Sequence, residues 1–311
     1  MTTRRALTAA VAVTTVFAPT KVFAHEGAPP VPHNLWTAWT FEPGVVALLL
    51  ISAAACGFGA MKMRARAGRW PARFPASATT FAAGWIVLAI SLVSPLHALG
   101  SALFSAHMAQ HEIIMVLAAP LLIAGRPIVP ALWSLPPSGR LWLQRMVHSP
   151  AMTSVWRFVS RPLVAFLLHG VAIWIWHVPG FYDAAVRSEI VHTAQHASFL
   201  VTALLFWWTI LPASATRRNA AALFSLFGTA LHTGLLGALL TFSDASWYPV
   251  YHATTGPWSL SPLEDQQLGG LIMWIPGGLT YLVVALLTAA RLLRHPAGSW
   301  GASGVAGSLP A

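Results

Sequence analysis

The sequence predicts an all-α, polytopic integral membrane protein: a bundle of seven transmembrane helices with its N-terminus outside and its C-terminus cytoplasmic. Three observations carry this. Hydrophobic residues make up 56 % of the 311 and charged residues only 8 %, where a soluble domain carries roughly 25 % charged. Seven apolar runs, near 44–61, 79–97, 107–124, 162–178, 191–211, 220–242 and 268–293, each approach the ~17–25 residues that a bilayer requires. The basic residues then fall in alternate loops. Lys62, Arg64, Arg66, Arg69 and Arg73 follow the first run, and Arg126, Arg140, Arg145, Arg157 and Arg161 the third. Arg217 and Arg218 follow the fifth, and Arg291 and Arg294 the seventh. The intervening loops hold Asp183, Arg187, Glu189, Asp244, Glu264 and Asp265. That is the positive-inside pattern for an outside N-terminus. The net charge of +10 is therefore orientation information, and nucleic acid is not an expected partner.

The chain begins with the features of a signal peptide over residues 1–24. Arg4 and Arg5 precede an apolar stretch, 6–17, and Val22-Phe23-Ala24 has small residues where signal peptidase requires them. Pro19 and Lys21 make this run short for a membrane span. Residues 25–43 form a Pro-rich extracytoplasmic segment, 44–294 the seven-helix membrane domain, and 295–311 a Gly/Ser/Ala-rich tail of disordered composition. The cytoplasmic loop 125–161 has room for a short amphipathic helix over 141–147 on the membrane surface. In the outer loop 243–267, Trp247, Tyr248, Tyr251 and Trp258 are the ring types expected at a headgroup belt. Trp174, Trp176, Trp207 and Trp208 are assigned to belt and helix packing.

The third run is the most informative. It opens with His107, Met108, His111 and Glu112 and is almost wholly apolar afterwards. Residues four apart share one helix face about a turn apart, so His107 and His111 project together. His192 and His196 repeat the arrangement at the start of the fifth run. Two such imidazoles can chelate one ion, and a second pair on a packed neighbour completes four ligands. Cys56 is the only cysteine, so a metal site must use imidazole, thioether or carboxylate. Imidazole suits copper, zinc, iron and nickel, and a thioether such as Met108 adds preference for Cu(I). Met115 is also close in sequence. Glu112 is the only acidic group inside a long apolar run; it is read as a ligand or as an acceptor for an imidazole N–H. His97 ends the second run and His177 the fourth, at the same outer face, which adds both to the candidate ligands. His169 and His232 fall near mid-membrane, and His148 and His295 on the cytoplasmic side. For His169, His148 and His295, hydrogen bonding to a neighbour or plain solvation is the expectation. Glu264 and Asp265, after Ser261, fit two roles equally: a capped helix start, or a cation-attracting mouth to the histidine site.

Four segments together resemble one family. They are His107-Met-x2-His111 running into Ala-Pro-Leu-Leu, Trp-His-x-Pro-x-Phe-Tyr-Asp at 176–183, and the His192–His196 pair leading into Phe-Trp-Trp. The fourth is Asp-Gln-Gln-Leu-Gly-Gly-Leu-Ile-Met-Trp-Ile-Pro-Gly at 265–277. Over roughly residues 40–294 the chain is similar to the polytopic CtaG-type cytochrome c oxidase assembly factors, which are distinct from the single-span copper chaperone that has shared the name. The resemblance implies a non-enzymatic role in a bacterial cytoplasmic membrane: copper, as Cu(I), held at the outer face and delivered to the catalytic subunit of a haem-copper oxidase. Partners would be oxidase subunits and periplasmic copper carriers. It carries copper ligation onto His107, His111, His192 and His196.

Two further classes remain open from the residues alone. Facing histidines on two helices could hold haem b in an electron-transfer subunit, although paired i,i+4 histidines offer more ligands than one haem uses. A copper importer would use His169 and His232 as a relay below the outer site.

Overall fold

The computed structural model describes residues 29–70, 72–211 and 216–294, and every regular element among them is helical. The expected signal peptide and the tail from 295 lie outside the described residues. Proline opens many of the helices, the last among them, as its fixed φ and missing N–H allow at a first turn. It does so for α1 (Pro43–Ala67), the short α3 (Pro95–Leu99), α6 (Pro137–Val147), α7 (Pro150–Val159), α8 (Pro162–His177) and α9 (Pro179–Arg187). The remaining elements are α2 (Phe74–Val93), α4 (Phe104–Ala124), α5 (Ile128–Ser134), α10 (Glu189–Ile210) and α11 (Thr216–Thr241). The last helix, α12, runs from Pro262–Ile272 through Met273–Gly277 into Gly278–Arg294.

Six helices are long and apolar enough to cross a membrane: α1, α2, α4, α10, α11 and α12. The seventh expected span is the 16-residue α8; it qualifies only together with α7, from which it bends by 72°. Pro162 and the end of α7 at Val159 account for the bend. This is a multi-pass membrane protein. The second expected span, 79–97, divides at Ser94. Pro95 cannot donate to continue the helix, and Ser94 instead accepts from Leu96 N at 3.3 Å to cap α3. His97 therefore sits on a separate short helix. The amphipathic segment expected over 141–147 is longer than expected: α6 and α7 form a pair that exposes Trp142, Met152, Trp156 and Phe158.

Helix α4 is the centre of the bundle. In its apolar window 61 % of residues are buried, against 11–44 % in the other five long helices, and it packs against α2, α10 and α12. Its middle, Ile113–Ala118, has π-helical hydrogen bonding, with Ala119 N reaching back to Ile114 O. In that register Pro120 would be the donor to Met115 O, and it has no N–H. The indole of Trp207 on α10 supplies the bond instead, at 2.8 Å. An unsatisfied carbonyl at this depth would cost several kcal/mol. Trp207 is thus a buried helix-to-helix tie rather than a member of a surface belt. A second π turn, Met273–Gly277, contains Pro276 and lies in α12 against α4.

The two ends of the bundle differ in chemistry. At one end Lys62 donates to Ser134 O, and Arg66 and Arg140 lie over the Trp133 ring. At the other end α3 and the N-terminal turns of α4 and α10 bring the histidines together.

Candidate metal centre

Five imidazoles meet at the N-terminal ends of α4 and α10. The i,i+4 pairs place the rings of His107 and His111 4.4 Å apart and those of His192 and His196 4.2 Å apart. Packing of α4 on α10 brings His107 to 5.1 Å from His192, and His111 to 5.1 Å from His196. His97, from α3, stacks on His192 at 5.1 Å. The four histidines expected to form one site do not converge on a single point among the described residues. They divide into two sets of three ligand atoms, each set within 4.8 Å: His107, His111 and His196, and His97, His192 and His196. His196 belongs to both.

The deeper set is electronically prepared for a cation. Tyr251 donates its hydroxyl to Gly100 O at 2.8 Å, so its oxygen accepts from His107 Nδ1 at 3.2 Å. That fixes the proton on Nδ1 and leaves the Nε2 lone pair bare. His107 Nε2, both ring nitrogens of His111 and His196 Nε2 are buried without a hydrogen-bond partner. Buried polar atoms are satisfied in the great majority of cases, so four unpartnered nitrogens at one place could hold a cation. Three neutral imidazoles suit a borderline or soft transition ion.

The shallower set is differently held. Gln110 donates to both Ser91 O at 2.7 Å and His97 Nδ1 at 2.9 Å. The His97 proton therefore sits on Nε2, 3.4 Å from Glu42 Oε1. A cavity of about 310 Å³, lined by Glu42, His97, His107, Glu189 and His192, reaches this set past exposed Arg187. Its carboxylates are Glu42 and Glu189, not the expected Glu264 and Asp265. Glu264 completes a capping box with Ser261. Asp265 is fully buried and accepts from Phe104 N at 2.6 Å, Ser105 N at 3.1 Å and Ser105 Oγ at 2.5 Å. It caps α4, whose own residue at that position, Leu103, has no side chain able to do so.

Other candidates fall outside both sets. Met108 Sδ and His177 Nε2 face each other at 3.3 Å, while His177 Nδ1 donates to Ile173 O at 2.6 Å. The facing atoms are thus both electron-pair donors, buried beside the deeper set. Glu112 points away, toward α12: a Cβ added to Gly277 would lie 2.7 Å from its Oε2. Glycine at 277 is what lets this carboxyl fit. His169 donates from Nδ1 to Thr202 Oγ1 at 3.1 Å, in keeping with its expected packing role, and His148 is bonded to Gln144 O.

The aromatic residues of the outer loop do not form a belt. Tyr248 and Tyr251 are buried: Tyr248 stacks on Phe104 and tilts against Tyr182, and Tyr251 meets Phe104 edge-on. Tyr248 donates to His177 O at 2.9 Å, and Tyr182 contacts Tyr251 Oη at 3.1 Å. Burial pushes the phenols of Tyr182, Tyr248 and Tyr251 up, so all three remain protonated donors. The sequence reading missed Gln110, Tyr182, Tyr251 and Glu42 as parts of the site. Tyr182 and Gln110 sat within motifs that pointed there, whereas Tyr251 and Glu42 did not.

Comparison with known families settles what kind of chain carries this centre. The family model for the cytochrome c oxidase caa3 assembly factor, Caa3_CtaG, matches residues 54–295. The chain belongs to that family. The Caa3_CtaG match covers all five converging histidines and the Asp265 cap. Similar curated proteins are uncharacterized proteins of Mycobacterium bovis and Mycobacterium tuberculosis, each 31 % identical over 279 residues, and one of Mycobacterium leprae, 27 % identical over 280. These alignments cover 86 % of this chain but only 40–41 % of the relatives, so the chain spans about two fifths of their length. No solved structure matches this Caa3_CtaG chain.

Proposed function

We propose that this assembly factor binds copper, as Cu(I), through the clustered histidines and delivers it to the catalytic subunit of a haem-copper cytochrome c oxidase. The observation that carries the reading is the set of orphaned nitrogens on His107, His111 and His196. Ligands without cysteine keep the site labile enough for handover. Met108 and His177, one facing pair of sulfur and nitrogen beside that set, add the soft character that favours Cu(I) over Zn(II). Glu112 serves the bundle rather than the ion. By the distribution of basic loops, the histidine end faces outside, where periplasmic copper carriers would load it. The role is non-enzymatic: the ion is cargo.

Copper is favoured over haem b by the contact between facing rings. His111 and His196 stand edge to face at 5.1 Å, which leaves no slot for a macrocycle between α4 and α10. The importer reading has less support, because the inner candidate among the described residues, His148, is bonded at the surface rather than set below the relay. The test is a visible spectrum with metal analysis on detergent-purified protein, for wild type and His107→Ala/His111→Ala. Copper near one ion per chain, no Soret band, and copper that the variant no longer retains against a chelator is the expected result. A Soret band lost in the variant would replace copper delivery with electron transfer.

A further inference from the structure

Resting on that copper reading, the geometry points to two overlapping stations for one ion, with His196 as the pivot between them. We propose that His97, His192 and His196 form a loading station at the cavity, and that His107, His111 and His196 form a holding station beneath it.

Depth is the first argument. Two members of the first set, His97 and His192, line the cavity that opens past Arg187 and Glu189; of the second set only His107 reaches its wall, and His111 does not. An ion arriving from solvent meets the His97 set first, with Glu42 and Glu189 giving that cavity two carboxylates. The second argument is the state of the ligands. His97 is engaged by Gln110 and Glu42, and an ion must displace one of them to bind it. In the deeper set both nitrogens of His111 and the Nε2 of His196 carry no partner, and only the uncharged Gln195 side chain competes for His107. An ion therefore gains by moving inward. The third argument is the shared residue. Metal–nitrogen bonds of about 2.0–2.1 Å put two ligand nitrogens no more than about 4.2 Å apart. Three atoms within 4.8 Å reach this by small side-chain shifts, but no set of four lies that close among the described residues. With His196 needed by both stations, the chain holds one ion at a time. The move exchanges two imidazoles for two others while His196 stays bound; no electron is transferred. Reversal of the same step presents the ion at the cavity for release.

The test uses the full chain in detergent with Cu(I) alone, measuring stoichiometry and the rate of extraction by a water-soluble chelator. Wild type should hold one ion. His196→Ala should hold none. His111→Ala should still take one ion but release it about tenfold faster or more, since only the loading station remains, and loss of a supporting ligand costs about that much. His107→Ala, which removes a different member of the same set, should match it. His192→Ala should take one ion and both load and release it more slowly than wild type. Helical circular dichroism and the elution position confirm that each variant is folded. Two ions bound to wild type would overturn the shared pivot. His111→Ala and His192→Ala each as empty as His196→Ala would show a single multi-histidine site instead. A wild-type chain that takes no copper is a distinct result, and it removes the copper reading itself.

Discussion

At the scale of single residues, tautomers decide which histidines can act. His107 and His97 are both buried imidazoles, yet their protons sit on opposite nitrogens. A phenol that has already donated to Gly100 O can only accept from His107. An amide nitrogen can only donate to His97. Removing the phenol should loosen the ion without touching a ligand. Tyr251→Phe is expected to weaken copper affinity about 10–100-fold, the usual cost of losing such a supporting hydrogen bond; competition with a colorimetric Cu(I) chelator measures it. An unchanged affinity would mean that the His107 ring is held by packing alone. The i,i+4 histidine pairs were legible in the sequence because helical spacing is local. Tyr251, Gln110 and Glu42 were not, because their roles depend on which loop folds over which helix. Residues 144 positions apart, such as His107 and Tyr251, leave no periodic trace.

At the scale of elements, the site depends on how α4 is seated. Its first turn lacks a cap of its own and takes one from Asp265 on α12. Asp265→Ala strands two buried N–H groups and should cost about 1–2 kcal/mol, the upper range for a lost cap. The expected readout is a lower melting temperature in detergent together with reduced copper binding. Glu264→Ala, on an exposed carboxylate of the neighbouring capping box, should change copper binding little. The sequence presented Glu264 and Asp265 as an equivalent acidic pair; only the packing of α12 on α4 tells them apart. Far from the histidines, α1 and α5 meet at Gly59, where an added Cβ would fall 1.7 Å from Pro130 O. Close backbone approach through small residues is how membrane helices pack. Gly59→Ala should therefore destabilise by about 1–3 kcal/mol, the range for overpacking, seen as a lower melting temperature with copper stoichiometry retained. The π turns in α4 and α12 were not foreseen, although Pro120 and Pro276 stood in plain view. Proline in an apolar run signals a break without saying how it is repaired, and here the repair comes from Trp207 on another helix.

At the scale of the whole molecule, the apolar runs and charge asymmetry gave the bundle, because bilayer thickness and the cost of unpaired backbone leave few alternatives. Where the expectation slipped, at α8 and at the α2–α3 break, proline shortened a helix that hydropathy alone had extended. The outward-facing histidine end is proposed from the basic loops and has a direct check: a cysteine at Asp244 should react with a membrane-impermeant thiol reagent in intact cells, and one at Ser138 only after lysis. The reverse pattern would place the histidines on the wrong side for an external copper source. The central claim is that the clustered histidines carry the copper that reaches the oxidase. It is tested most directly by the copper content and activity of the oxidase purified from cells whose only assembly factor is the His107→Ala/His111→Ala variant, present at wild-type level. An oxidase that contains its haem but lacks copper and activity is the predicted result. A fully metallated, active oxidase would contradict the account.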